Sequence, residues 1–285
     1  MQLSAFFPTR YISNDPAKIR DWAQAAEDLG YEHLEVPDHV FGVTARGDWK
    51  PVYNEKDAFH ETFTTLAYIA AVTKKIGLCS GVLILPQRQT GLVAKQAAQV
   101  DVLSNGRLRL GIGVGWNWVE YQALGTDWHT RGAMQAEQID VMRKLWTGDL
   151  VTFKGRFHTM ESVAIVPPPV QRPIPIWFGG SSDAAIKRAA RLGDGWMPIM
   201  APDEAGEAAL TKLKTHLKAF GRDPANFGLE AWIRLTGPNE DSWGSIVAAW
   251  KRLGMRVGTL YPMYPVEGID AQIDLLRRFK DVATG

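Results

Sequence analysis

The dipeptide Asp38-His39 is the part of this chain best suited to moving protons. An imidazole titrates near neutrality, and an adjacent carboxylate can orient it and favour its charged form. A plainer reading stands beside it, in which Asp38 caps the following turn and His39 packs. Gly179-Gly180-Ser181-Ser182 opens a helical stretch. Free N–H groups at a helix start, together with the positive end of the helix dipole, suit a phosphate or another anion. The plainer reading there is that the glycines make a turn, Ser182 is an ordinary N-cap, and Asp183 competes for the same donors. The third feature is LRLGIGVGWNW at 108–118. Strand alternation puts Gly111, Gly113 and Gly115 on one face and Leu110, Ile112 and Val114 on the other. A bare face suggests close approach of a flat ligand, or else crowding between strands.

These residues need elements to hold them. Strand patterns occur at 2–7, 33–36, 76–85, in the glycine-faced segment ending at Gly115-Trp116, and at 176–178, 195–200, 229–235 and 257–261. Each is followed by helical sequence. Such alternation means a parallel sheet, and eight units predict a closed (β/α)8 TIM barrel. An open doubly wound sheet is the competitor, but its glycine-rich fingerprint after the first strand is missing. The barrel reading makes residues 1–285 one domain. Residues 148–175 interrupt the rhythm with a short hairpin (151–153 and 156–159) and a proline cluster, and read as an insertion between strands four and five.

Active sites of such barrels lie at the C-terminal strand ends. That rule gathers Asp38, His39, Gly81, Val82, Gly115, Trp116 and Gly179 to Ser182 around one mouth. The 40–59 loop, with Trp49 and Tyr53, is long enough to be a lid, a binding loop or a disordered segment.

Composition narrows the function. A net charge of +1 over 285 residues gives no electrostatic reason to expect nucleic acid or an anionic membrane. The single cysteine, Cys79, excludes an intramolecular disulfide and reads as a buried, inert thiol. His33, His60, His129, His158 and His216 lack ligand spacing, so no metal site is expected. There is no Walker loop, nucleophile elbow or zinc signature. The first residues lack a secretory pattern and no apolar run is long enough to span a bilayer, which makes a cytoplasmic protein the expectation.

Five motifs in order, Pro37-Asp38-His39, Ser80 to Pro86, Gly111 to Trp116, Gly179 to Ser182 and Gly193-Asp194-Gly195-Trp196, resemble the bacterial luciferase-like monooxygenase family over essentially the whole chain. The pattern is most similar to the branch using the deazaflavin coenzyme F420 rather than FMN. The resemblance implies a cofactor ring at the mouth, backed by a non-proline cis peptide at Gly81-Val82 next to Ser80. It implies contacts from Gly113, Gly115 and Trp116, with Gly179, Gly180, Ser181 and Ser182 at the phosphate side. Asp38 would hydrogen-bond the ring, and His39 would sit near the hydride-accepting carbon as the catalytic residue. Trp49, Tyr53 and Trp116 would wall a small-molecule substrate. Some deazaflavin relatives that oxidise sugar phosphates carry a glutamate and a tryptophan where this chain has Trp116 and Val43, which favours a more apolar substrate. An oxygen-activating FMN monooxygenase and a non-catalytic flavin-binding protein stay open, as does a homodimer, since relatives are often dimers.

Overall fold

The computed structural model describes residues 1–12 and 14–285. Its parallel strands are β1 (Gln2–Phe6), β2 (His33–Val36), β3 (Gly77–Ser80), β4 (Leu83–Ile84), β5 (Leu108–Gly113), β8 (Ile176–Phe178), β9 (Gly195–Trp196), β10 (Gly228–Leu235) and β11 (Val257–Pro262). The order β3-β2-β1-β11-β10-β9-β8-β5-β4 is closed by β3–β5 pairing, with Cys79 opposite Arg109. Counting β3 and β4 as one interrupted strand, this is the expected eight-stranded (β/α)8 barrel. Around it, in chain order, lie α1 (Pro16–Asp28), α2 (Thr62–Val72), α3 (Thr90–Leu103), α4 (Trp118–Ala123), α5 (Arg131–Leu145), α6 (Asp183–Leu192), α7 (Glu204–Ala219), α8 (Glu240–Arg252) and α9 (Ile269–Thr284). Among the described residues no helix is long and apolar enough to cross a membrane.

Local chemistry explains the boundaries. Asp15 caps α1, accepting from Ala17 N at 2.9 Å, with Pro16 at the first helical position. Glu61 does the same for α2, accepting from Thr64 N at 2.7 Å. Three expectations need correction. The apolar run 76–85 is not one strand: it breaks at Gly81-Val82, whose peptide is cis, and resumes as β4. The strand expected at 195–200 stops at Trp196, because Pro198 has no N–H to give a ladder. The second hairpin strand is β7 (Thr159–Val163), pairing with β6 (Val151–Lys154), not 156–159. Residues 156–158 form the turn instead, their N–H groups donating to the Glu137 carboxylate at 2.8 Å each. Residues 118–123 form a short helix, capped by Asn117 through Val119 N at 3.1 Å.

The core has two compartments. The larger lies between strands and helices and includes Trp22, Trp146, Trp243 and Trp250, all fully buried. The smaller fills the barrel interior with Cys79, Met197 and Trp232. Cys79 is buried and its thiol pKa is pushed up to about 12, by burial above all, as an inert thiol requires.

Beneath these sits a buried polar plug. Arg109 pairs with Glu230, and Trp232 Nε1 donates to Glu35 at 3.1 Å. The Thr259 hydroxyl lies within hydrogen-bond distance of both Glu35 Oε1 and Glu230 Oε1. One hydroxyl carries one proton and donates to one carboxylate, so the other carboxyl must bring its own. Glu35 is that acid: burial, then the charge of Glu230, drives its pKa well above the ordinary range. Burial also acts to raise Glu230, but Arg109 and its hydrogen bonds outweigh it and hold Glu230 below that range.

The sign of the linkage follows. A pKa raised on folding means that the folded state holds the Glu35 proton more tightly. The stability this confers is complete below the unfolded carboxyl pKa of about 4.3 and is lost as pH rises through the folded value. Glu35→Gln, which mimics the neutral acid, is expected to raise the neutral-pH melting temperature by about 2–4 °C and to flatten its decline above about pH 4. Thermal denaturation across pH checks this. An unchanged profile in the variant counts against a protonated Glu35.

Candidate active site

The C-terminal ends of β2, β4, β5 and β8 enclose a cavity of about 380 Å³, within the roughly 300–1,000 Å³ of small-molecule sites. Asp38, His39, Gly81 and Val82 line it, with Gly113, Gly115 and Trp116 opposite. Gly179, Gly180, Ser181 and Ser182 form one end, and Tyr53 reaches in from the long loop. Two candidates stand outside the lining. Ser80 is buried, its hydroxyl donating to Gly111 O at 2.7 Å. Trp49 lies behind Trp116 and beside Trp118, ring centroids 6.0 and 5.8 Å away.

His39 is oriented by a residue that sequence spacing does not point to. Its Nδ1 is 2.9 Å from Glu120 Oε2, on α4. Glu120 is buried, and its other oxygen accepts from Val40 N at 2.8 Å and Phe41 N at 3.1 Å. Burial raises the Glu120 pKa, but the His39 hydrogen bond and charge and these N–H donors outweigh burial and leave it below the usual range. An ionised carboxylate only accepts, so Nδ1 must be the donor. Nε2 has no protein partner among the described residues and is the nitrogen available to a ligand. Phe59, Tyr53 and Trp116 pack edgewise on the imidazole, with centroids 4.8, 5.4 and 5.6 Å away.

Asp38 is not the orienting carboxylate. Its Oδ1 accepts from Arg88 Nη2 at 2.6 Å and lies 3.2 Å from Thr62 Oγ1. Its Oδ2 accepts from Ile84 N at 2.8 Å and Arg88 Nε at 3.3 Å. Thr62 Oγ1 has Pro37 O nearer, at 2.9 Å, and one hydroxyl carries one proton, so three N–H groups hold this carboxylate and one lone-pair site stays open. What Asp38 does here is clamp the start of β4, and with it the Gly81-Val82 segment, to the end of β2.

The glycine face also differs from expectation. A side chain at Gly111 would meet Ser80 O at 2.0 Å, one at Gly113 would meet Val82 at 2.8 Å, and one at Gly115 would meet Ile84 at 2.9 Å. The strand is bare to admit the neighbouring bulge, so the crowding reading is the correct one here. Gly179 faces the same side chain, with Val82 at 3.0 Å. Val82, seated on these glycines, lines the cavity together with Gly113, Gly115 and Gly179. Gly115, with φ of 67°, turns the chain out of the strand and brings Trp116 to the mouth.

At the far end Ser182 caps α6, accepting from Ala185 N at 3.3 Å. Asp183 does not compete for the helix N–H groups, because it is 76% exposed and pairs with Lys212 at 2.8 Å. Gly180, with φ of 86°, gives its carbonyl to Trp196 Nε1 at 2.8 Å. Three further residues converge here that the sequence reading missed: Arg131 and Gln135 of α5, and Arg188 of α6. Neither arginine has a carboxylate partner among the described residues. Arg131 lies 3.6 Å over the Trp128 ring, and Arg188 Nε donates to Gln135 Oε1 at 3.2 Å. Gln135 is 1% exposed, yet its Nε2 has no partner. Burial and then the Arg131 charge lower the Arg188 pKa. Two unneutralised guanidiniums, an orphaned buried amide and a helix start are chemically suited to an anion. No spacing signal could have found them, since two different helices supply the set, with Gln135 and Arg188 53 residues apart. No group of three or more metal-ligating side chains occurs among the described residues.

Comparison with known proteins bears on the family and the fold. The model of the luciferase-like monooxygenase family matches residues 1–241. An uncharacterized protein of Mycobacterium tuberculosis is 39% identical over 183 residues, covering 61% of this chain and 62% of that protein. The F420-dependent glucose-6-phosphate dehydrogenase of Nakamurella multipartita is 29% identical over 213 residues, covering 73% of this chain and 60% of that one. Pyrimidine monooxygenase RutA of Allorhizobium ampelinum is 32% identical over 176 residues, covering 59% and 47%. These matches span less than two thirds of the length of each of these three relatives. Among solved structures, an F420-dependent secondary alcohol dehydrogenase in complex with an F420-acetone adduct superposes with a TM-score of 0.80 at 19% identity, covering 99% and 98% of the two chains. At that identity the likeness speaks for the fold alone. Taken with the family match over most of its length, the barrel and its mouth make this chain a member of the luciferase-like monooxygenase family.

Proposed function

We propose that the chain is an oxidoreductase that passes a hydride between coenzyme F420 and a small, mainly apolar organic substrate, with His39 as its catalytic residue. The observation that carries this reading is the His39–Glu120 pair at the cavity wall, facing the cavity whose other end holds two unpaired guanidiniums. The residues fit a phosphate-bearing tricyclic cofactor in charge and shape: Val82 would back the ring, and Arg131, Arg188, Gln135 and the α6 N-terminus would hold its phosphate. When bound, the deazaflavin supplies two-electron hydride chemistry. His39 Nε2 gives or takes the proton at the substrate atom whose charge changes, and Glu120 keeps the tautomer and steadies the imidazolium. Trp116 and Tyr53 exclude water on the substrate side, and Trp49 supports Trp116.

Preference for F420 over FMN is supported by the exposed rim at Gly180, Ser181 and Ser182. It leaves an exit for a substituent continuing past the phosphate, which F420 carries and FMN lacks. The FMN monooxygenase reading keeps one specific support, since two guanidiniums also suit the dianion of a phosphomonoester. Titrating the purified protein with each cofactor tests the choice. A change in deazaflavin fluorescence at micromolar concentrations is expected, and oxygen consumption with reduced FMN would overturn it.

Glu120→Gln keeps the shape and removes the charge. Hydrogen bonds to charged groups contribute about 1.5–3 kcal/mol, so kcat is expected to fall by about 10- to 100-fold with cofactor affinity intact. Steady-state kinetics beside fluorescence titration separates the two. A loss confined to cofactor affinity would assign Glu120 to scaffolding.

A further inference from the structure

We infer that Arg88, which stands outside the cavity lining, is a positioning residue for His39: it cancels the charge of the carboxylate beside the imidazole and fixes the imidazole relative to the far end of the cavity. Its guanidinium joins three elements. Nη2 and Nε donate to Asp38 at the end of β2, at 2.6 and 3.3 Å, and Nη1 donates to Glu61, the cap of α2, at 3.3 Å. Asp38 passes the hold on to β4 through Ile84 N at 2.8 Å. The main chain of Arg88 is pinned as well, its N–H donating to Leu85 O at 3.1 Å and its carbonyl accepting from Gln138 Nε2 at 3.1 Å. Gln138 is fully buried on α5. Three residues earlier, on the same helix face, stands Gln135, which lines the cavity beside Arg131 and Arg188. One residue therefore connects the strand end that carries His39 with the helix that carries the opposite end of the cavity.

The electrostatic half of the role follows from burial. Asp38 is buried, and a bare carboxylate next to His39 would favour the charged imidazole. Arg88 removes that influence. Glu61 does not use up the guanidinium, because its side chain is 45% exposed and sits at the positive end of α2. The other charged groups that face the imidazole are Glu120 on α4 and, across the cavity, Arg131 and Arg188. Arg10, over the Tyr53 ring, is paired with Asp57 at 2.6 Å. With Asp38 cancelled, Glu120 is the one carboxylate that acts on His39. Lysine could not replace Arg88, since a point charge on a flexible stem does not span both Asp38 oxygens and Glu61.

The test follows the titration of the His39 ring by isotope-edited NMR of the histidine side chains, in protein without added cofactor, with the resonance assigned by its loss in His39→Gln. Asp38→Asn leaves Arg88 uncancelled and is expected to lower the proton affinity of His39 by about 3- to 10-fold; Arg88→Met leaves Asp38 uncancelled and is expected to raise it by a similar factor. The double variant Asp38→Asn/Arg88→Met is expected to return to within about twofold of the wild type. A purely structural role moves both single variants the same way and leaves the double variant displaced. That result, or no movement in either single variant, overturns the inference. Should Arg88→Met fail to fold because it strands a buried charge, Asp38→Asn and the double variant still decide the matter by the direction of the first and the return of the second. Arg88→Lys keeps the charge and isolates the geometry. It is expected to titrate like the wild type and bind F420 equally well, yet turn over about 10- to 100-fold more slowly; undiminished turnover overturns the positioning role. Only this last arm rests on the hydride-transfer reading. A wild type that binds F420 without turnover would retire that reading and leave the inference to be decided by the titrations.

Discussion

His39→Ala is expected to lower turnover by about 10²- to 10⁴-fold, the usual contribution of a positioned acid or base, while the dissociation constant of F420 barely changes. The asymmetry follows from position. The imidazole lies on the aromatic side of the cavity among Phe59, Tyr53 and Trp116, whereas the anion-binding groups gather on α5 and α6. Because three rings pack on it, alanine also leaves a gap, and His39→Gln is the companion that fills it without supplying a titratable proton. Both variants are expected to be slow. Single-turnover kinetics beside a fluorescence titration settles the matter: an unaffected rate in either variant removes His39 from the chemistry, and equal losses in rate and affinity make it a binding residue.

The second large effect concerns the anion end. Removing both guanidiniums in an Arg131→Ala/Arg188→Ala double variant is expected to weaken F420 by about 10²- to 10³-fold. Each charge-assisted contact contributes about 1.5–3 kcal/mol, and the pair, sharing one ligand, sums to less than twice that. The deazaflavin ring without its phosphate is the control. It is expected to bind wild type and variant alike, and the salt dependence seen with F420 is expected to shrink in the variant. If the phosphate-free ring loses as much affinity as F420, the arginines support the fold of α5 and α6 and are not the anion site. The same titration run with FMN and riboflavin asks whether the site holds a monoester equally well.

Much of the architecture is legible without coordinates, for reasons of periodicity. Strand and helix repeats of 2 and 3.6 residues are local, and eight alternations leave little choice but a closed parallel barrel. Failures occurred where a tertiary neighbour overrode the local pattern. The run 76–85 is apolar throughout and carries no local sign of its break; only β5, with glycines exactly where Ser80 O and Val82 intrude, makes the bulge fit. The hairpin turn at 155–158 was displaced because the group that pins it, Glu137, lies on α5.

The site divides along the same line. His39 and the Gly179 to Ser182 turn could be named because strand ends and helix starts are visible in sequence, and the barrel rule brings strand ends together. The partner of His39 could not, since adjacency along the chain favoured Asp38. Consecutive side chains diverge, and the fold spends Asp38 on Arg88 and Ile84 while it carries Glu120 from 81 residues away to the imidazole. Arg131, Arg188 and Gln135 stayed hidden for a related reason: charge left unpaired is a property of three-dimensional neighbours. The sequence by itself therefore determined the barrel, its mouth and the residues at the strand ends, all set by short-range repeats. Only the tertiary structure decided which carboxylate faces which base and where positive charge is left unpaired, because ion pairing acts across space between segments remote in the chain.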